Sequence, residues 1–192
     1  MLKYLMVRNI LRTTNPKLRS ISKKVTSVDK KLLNLIQDLE DTLEVQLDPE
    51  GVGLAAPQIS VFLRVFIIKN LQKETLHFIN PRITKTWKKI HPTKTNPPTG
   101  GPIMEGCLSL PHYYGPVNRA HKITLEYDEI TNPPTGGPTL TSQTKTFTGF
   151  VSQAIQHELD HLEGIFFIDR LLEQHQKLYK LKGEDWQEVE LI

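Results

Sequence analysis

The sequence is poor in several groups, and each shortage narrows what the chain can be. It has one cysteine, Cys107, in 192 residues, which excludes an intramolecular disulfide and fits a reducing compartment. It has no block of like charge: 24 lysines and arginines stand against 21 acids, and the lysine doublets at 23–24, 30–31 and 88–89 lie far apart. Charge spread in this way solvates a surface, so no specific nucleic-acid partner is expected. No acid precedes Asp29, but the apolar run in MLKYLMVRNILRTTNP is too short and interrupted for a secretory core or a membrane span. We expect a mature N-terminus, no membrane partner and a cytoplasmic protein; Arg8 and Arg12 leave a weak organellar presequence as the alternative. The length suits one domain, 1–192, with room for a sizeable core.

Against these shortages stands QHELDH at 156–161. On a helix His157 and His161 lie one turn apart on one face and can share a metal ion, while Glu158 beside them can address water on it. A catalytic centre of this type takes three protein ligands and keeps a position for water, so a third ligand lies elsewhere. Cys107, in EGCLSLP at 105–111, is the candidate. Its thiolate would complete a Cys-His-His set suited to zinc, ferrous iron, cobalt or nickel rather than magnesium or calcium. An inert buried cysteine and a covalent nucleophile are the other readings of Cys107, although a nucleophile needs only one histidine.

H-E-x-x-H also occurs in zinc peptidases, which often draw a third ligand from H-E-x-x-H-x-x-G-x-x-H; here that last position is Phe167. A structural zinc site is the remaining alternative, and it prefers four ligands and more cysteine. His77, His91, His112, His121 and His175 lack metal-ligand spacing and read as surface or packing residues. Asp160 reads either as a hydrogen-bonding support for the site or as a solvated carboxylate. GVGLAAPQ at 51–58 is rich in small residues, which permit close approach to a ligand or a tight turn, and it ends in the neutral amide Gln58.

Periodicity supplies the scaffold. Leu32, Leu33, Ile36, Leu39 and Leu43 predict an amphipathic helix over 29–47, with Ser27 or Asp29 as its cap. RVFIIKN at 64–70 predicts a buried strand, with further antiparallel strands at 76–80, 82–86, 121–128 and 144–150. Val151, Ile155, Leu159 and Leu162 predict a helix over 151–163, stopped by Gly164. A short polar helix is expected at 172–181, and VELI at 189–192 as a final strand. TNPPTGGP occurs at 95–102 and again at 131–138; proline and glycine pairs make both copies loops, the second at a hairpin tip. The fold class expected is α+β, with antiparallel sheets packed around a central H-E-x-x-H helix and an N-terminal amphipathic helix.

GVGLAAPQ, EGCLSLP and QHELDH, in that order, resemble the three signature motifs of the peptide deformylase family, and the resemblance extends from about residue 15 to 172. It implies a metal-dependent hydrolase that removes the N-formyl group from the N-terminal formylmethionine of nascent polypeptides, releasing formate. By that resemblance Cys107, His157 and His161 bind one divalent metal ion, natively ferrous iron, with zinc, nickel or cobalt as replacements. Glu158 serves as general base and then general acid, and Gln58 with the Leu108 backbone N–H holds the oxyanion. Val52 and Gly53 pair their backbone with the substrate, and Val52, Phe150, Ala154 and His157 line the methionine pocket.

Some positions depart from the family pattern. Gln153 stands where many relatives carry an apolar residue, and Tyr114 lies in a stretch that varies among them. Relative to compact members the regions near 91–103 and 130–140 read as loop insertions. The C-terminal LKGEDWQEVELI lacks the long basic helix that some relatives dock on the ribosome, so at most weak ribosome association is expected.

Overall fold

A computed structural model describes residues 6–87, 89–90 and 104–190. Helix α1 (Lys30–Glu44) starts where the Asp29 carboxylate accepts the Leu32 N–H at 2.8 Å, a side-chain cap for one of the four donors that a helix start leaves unpaired. It buries Leu32, Leu35, Leu39 and Leu43. The expected stripe was off by one position on its flank: Leu33 faces solvent, and Leu35 takes its place in the core.

The larger sheet has the order β1-β2-β3-β8-β9, all antiparallel: β1 (Gly53–Ala55), β2 (Val65–Lys69), β3 (Thr75–Thr86), β8 (Lys122–Thr131) and β9 (Thr139–Thr148). Between β3 and β8 the chain forms β4 (Lys89–Ile90), β5 (Glu105–Cys107), β6 (Leu110–Gly115) and β7 (Arg119–Ala120), and β4 pairs with β7. β2 shows how this sheet is held. Its side chains alternate between faces, so Val65 and Ile67 pack against α1 while Phe66 and Ile68 pack against α2 (Gly149–Leu162). The strand is buried on both faces because each face meets a helix.

Two expected strands, 76–80 and 82–86, are one continuous β3. The register to β8 slips between Ile79 and Arg82, so Pro81 sits at a bulge instead of ending the strand. Asn80 beside it has φ 51°, and its side chain bonds Val25 N, Val25 O and the Asp128 carboxylate.

β5 and β6 belong to a second sheet, ordered β11-β10-β6-β5, with β10 (Leu178–Lys182) and β11 (Asp185–Val189). Here the polar helix expected at 172–181 is corrected. The helix is α3 (Phe167–Glu173), started by the Asp169 carboxylate accepting the Phe166 N–H at 2.7 Å and anchored by buried Phe167 and Leu171. Residues 178–182 form a strand instead, with Leu178 buried alongside Phe167 and Leu171. The final strand runs to Val189, while Leu191 and Ile192 of VELI lie outside the described residues.

The second TNPPTGGP joins β8 to β9 as a hairpin loop, whereas the first copy lies outside the described residues. No described helix is long and apolar enough to cross a membrane.

Candidate active site

α2 carries His157, Glu158 and His161, all buried, and its stop explains where the motif ends. Gly164, at φ 70°, takes the left-handed conformation, and a Cβ there would overlap the Arg19 carbonyl. Cys107 reaches the helix from the end of β5, and its Sγ lies 3.2 Å from His161 Nε2. One ligand atom from each of Cys107, His157 and His161 lies within 4.8 Å of the others. Residues 54 and 50 positions apart in sequence thus converge on one point.

Gln58 closes one side. It sits in a 3-10 turn (Ala56–Ile59), where its Oε1 accepts the Ala55 N–H at 2.8 Å. That bond fixes which end of the amide faces the cysteine: Nε2 lies 3.6 Å from Cys107 Sγ and donates to Ser109 Oγ at 3.1 Å. Leu108 follows Cys107 in the tight connection to β6.

The structure brings together every site residue expected from the sequence. Val52, Gly53, Phe150 and Ala154 line one groove of about 440 Å³ with Gln58, Cys107, Leu108, His157 and Glu158. His161 lies behind this surface at 2% exposure. Gly53 is placed where any side chain would strike the Glu158 carboxylate.

Two participants were not singled out from the sequence. Glu105 Oε2 lies 3.2 Å from His157 Nδ1, and Arg119 clamps the same carboxylate through Nε at 2.8 Å and Nη2 at 3.0 Å. A signal for Glu105 was present: two residues before Cys107 in a strand, it must share that residue's face. Arg119 had no local signal. It also donates to Asp160 at 2.6 Å, and Arg170 donates to the other Asp160 oxygen at 2.7 Å. Asp160 is therefore a buried support of the histidine helix and not a solvated carboxylate. Gln153 donates to Glu105 at 3.2 Å from within the groove. Of the remaining histidines, His112 lines the groove and His77 bonds Glu40 at 2.7 Å; His91 lies outside the described residues.

The electrostatics follow from burial and these neighbours. Burial pushes the Glu158 carboxyl up to about 7, against the pull of His157 and His161. Burial also opposes ionisation of Cys107, but His161 and His157 outweigh it and hold the thiol well below its ordinary range. Glu105 is buried too, yet Arg119 and His157 bring its carboxyl down to about 2. His157 is raised well above its ordinary value despite burial, because Cys107 and Glu105 accept its hydrogen bonds.

This donor set fits a metal ion. A thiol held toward its anionic form and two imidazoles suit a borderline-soft divalent cation. Glu105 beside His157 Nδ1 is the carboxylate–histidine support that fixes a ligating tautomer. Glu158 Oε2 is buried without a hydrogen-bond partner among the described residues, as befits a group that handles a bound species. Three convergent ligands, a glutamate of raised pKa and an amide donor in one groove define a metal-dependent hydrolase.

The comparisons narrow that class. The sequence model for polypeptide deformylase matches residues 7–177. A peptide deformylase from Halothermothrix orenii is 38% identical over 168 residues, covering 86% of this chain and 94% of its own. One from Dictyoglomus turgidum is 33% identical over 173 residues, covering 88% of this chain and 95% of its own. The crystal structure of a peptide deformylase from Legionella pneumophila superposes with a TM-score of 0.68 at 34% identity, covering 86% of each chain. The chain belongs to the polypeptide deformylase family.

Proposed function

We propose how these residues divide the work of the family's reaction, the metal-dependent removal of the N-formyl group from nascent polypeptides. Cys107, His157 and His161 hold one divalent ion. When bound, that ion supplies Lewis acidity, lowering the pKa of water and polarising the formyl carbonyl. Ferrous iron is the native ion in this reading; zinc, nickel and cobalt suit the same ligands.

Glu158 moves the protons. Buried beside the ligand histidines, with its Oε2 unpartnered among the described residues, its carboxylate accepts a proton from the attacking water and returns it to the departing amine. Gln58 Nε2, aimed by the bond from Ala55 to its Oε1, donates to the carbonyl oxygen as charge develops there, together with the Leu108 N–H. Donors fixed before the reaction need no reorganisation during it.

The N-formylmethionyl peptide binds as an added strand. Among the described residues β1 lies at the end of its sheet and pairs with β2 on one side, which leaves its other edge, at Gly53 and next to Val52, for an extended chain. Val52, Phe150, Ala154 and His157 receive the methionine side chain, with the Gln153 amide beside them. Selectivity for formyl follows from the crowding around Cys107, Gln58 and Glu158, where only hydrogen fits on the acyl carbon.

The scaffold in this reading is one catalytic domain with insertions near 91–103 and 130–140, its sheets arranged about the H-E-x-x-H helix α2 and the amphipathic α1. The protein works in the cytoplasm on chains leaving the ribosome, with at most weak ribosome association.

The single observation that carries the assignment is the convergence of Cys107, His157 and His161 beside Glu158 and Gln58. It is tested by loading the protein anaerobically with ferrous iron and measuring formate and acetate release from formyl-Met-Ala-Ser and its acetyl analogue. Formate alone, abolished by a chelator, is expected. Absence of formate from protein that retains its metal would refute the assignment.

A further inference from the structure

One stretch that contributes no residue to the groove ties the groove's parts together. The Leu11 N–H donates to the Gln58 carbonyl at 2.8 Å, and the Thr13 N–H donates to the Ser109 carbonyl at 3.1 Å. Between them Arg12 Nη1 donates to the Leu108 carbonyl at 3.4 Å. Further along, the Ser22 N–H donates to the Leu162 carbonyl at 2.8 Å and Arg19 Nη1 to the Gly164 carbonyl at 3.2 Å, at the end of α2. The Ser22 bond satisfies the last carbonyl of α2, and Arg19 sets a cation beside the helix's negative pole.

The bonds from residues 11–13 have a particular target. In extended chain the N–H groups of residues i and i+2 point the same way, so Leu11 and Thr13 can grip two segments lying side by side. Those segments are the turn holding Gln58 and the turn after Cys107. Among the described residues, the other hydrogen bonds between them come from the Gln58 side chain itself, to Cys107 and Ser109. Residues 11–13 therefore supply the hydrogen bonds that link the main chains of the two turns, beside the packing of Leu108 on the core that holds Ala56 and Ile59.

We propose that Leu11, Arg12 and Thr13 form a positioning clamp that fixes Gln58 and the Leu108 peptide relative to each other. The proposal rests on the assignment of those two groups as donors to the carbonyl oxygen. None of the three lines the groove; they act through residues that do. Because a displacement of about 1 Å at a reacting centre costs about 10²-fold in rate, a clamp remote from the chemistry controls turnover without altering affinity.

The test uses iron-loaded full-length protein and formyl-Met-Ala-Ser, with kcat, KM, metal content and Tm measured together. Thr13→Pro removes the N–H donor while Thr13→Ala keeps it, and Arg12→Ala removes the guanidinium while Arg12→Lys retains a donor. We expect Thr13→Pro and Arg12→Ala to lower kcat by about 10-fold or more, with KM and metal content within twofold of wild type. Thr13→Ala should stay close to wild type, and Arg12→Lys should recover part of the loss. If Thr13→Pro does not fold, Arg12→Ala decides through a double-mutant cycle with Gln58→Ala: its cost should shrink in the Gln58→Ala background.

Equal costs in both backgrounds, or a loss shared between kcat and Tm alone, would overturn the clamp and leave a merely structural segment. Unchanged kcat in the clamp variants, with a large loss in Gln58→Ala, would overturn the clamp but leave the donor assignment standing. Unchanged kcat in Gln58→Ala itself would remove that assignment and the clamp with it.

Discussion

Gly53 packs so closely against the Glu158 carboxylate that a methyl group on its Cα would overlap Oε1 and stand 2.9 Å from Cδ. One hydrogen atom therefore separates the edge of the sheet from the group assigned to move protons. Gly53→Ala should push either the strand or the carboxylate aside. We expect kcat/KM to fall about 10²-fold or more, by misplacement of a reacting group, while metal content is unchanged. Steady-state kinetics alongside elemental analysis would show it, and near-wild-type turnover would mean that Glu158 tolerates displacement.

Glu158 and Cys107 should fail in opposite ways. Glu158→Gln keeps the shape of the side chain and removes its proton chemistry, so turnover should drop about 10²-fold or more with metal retained. Cys107→Ala removes a ligand, so metal should be lost after dialysis and activity with it. Equilibrium metal content separates the two, and a metal-depleted Glu158→Gln protein would contradict the division of roles.

Acid should weaken the fold through Glu105. Its carboxyl lies at about 2 in the folded protein against an ordinary 4.5, and Asp160 is also lowered. A lowered folded value gives stability that is fully present above the ordinary value and disappears as pH falls through the folded one. In chelator-treated protein, to exclude metal linkage, unfolding free energy should therefore fall by a few kcal/mol between about pH 4.5 and 2. Glu105→Gln should flatten that dependence while lowering stability near neutrality, because buried Arg119 loses one of its two carboxylate partners and keeps only Asp160. Urea titrations across the pH range measure both effects; an equally steep acid loss in the variant would assign it to other groups.

The second TNPPTGGP should be dispensable. β8 and β9 stay paired up to Thr131 and Thr139, and residues 132–138 project beyond them. Replacing 132–138 by Asn-Gly supplies a two-residue turn matched to strand twist. We expect unchanged kcat/KM and a Tm within a few degrees of wild type; a large loss of either would show that the loop is needed.

The groove's reacting groups were legible because each sits in a local pattern. His157, Glu158 and His161 follow one helical turn, and the small residues before Gln58 announce close backbone approach. Much less of the second sheet was readable. Its strands are short, the pairing that joins its two hairpins is remote, with Tyr114 meeting Tyr179, and inside one hairpin the register slips between Gly106 and Cys107. Polar composition around 172–181 imitated a helix, whereas Phe167 and Leu171 decide where the helix lies. Arg119 could not have been found at all from its neighbours, because its meaning comes from Glu105 and Asp160 on two other elements. Pro81 misled in the usual direction, since proline ends most strands but is accommodated here at a bulge.

β2, whose alternate side chains belong to the cores on both faces of the sheet, has a consequence for how the molecule opens. A strand shared by two cores cannot be released by loosening either helix alone, so its amides can exchange with solvent only when both cores are lost. In deuterated buffer Phe66, Ile67 and Ile68 should be among the last protons to disappear, and their exchange should report the stability of the whole fold. The hairpin tip at 132–138, which no core holds, should exchange at once.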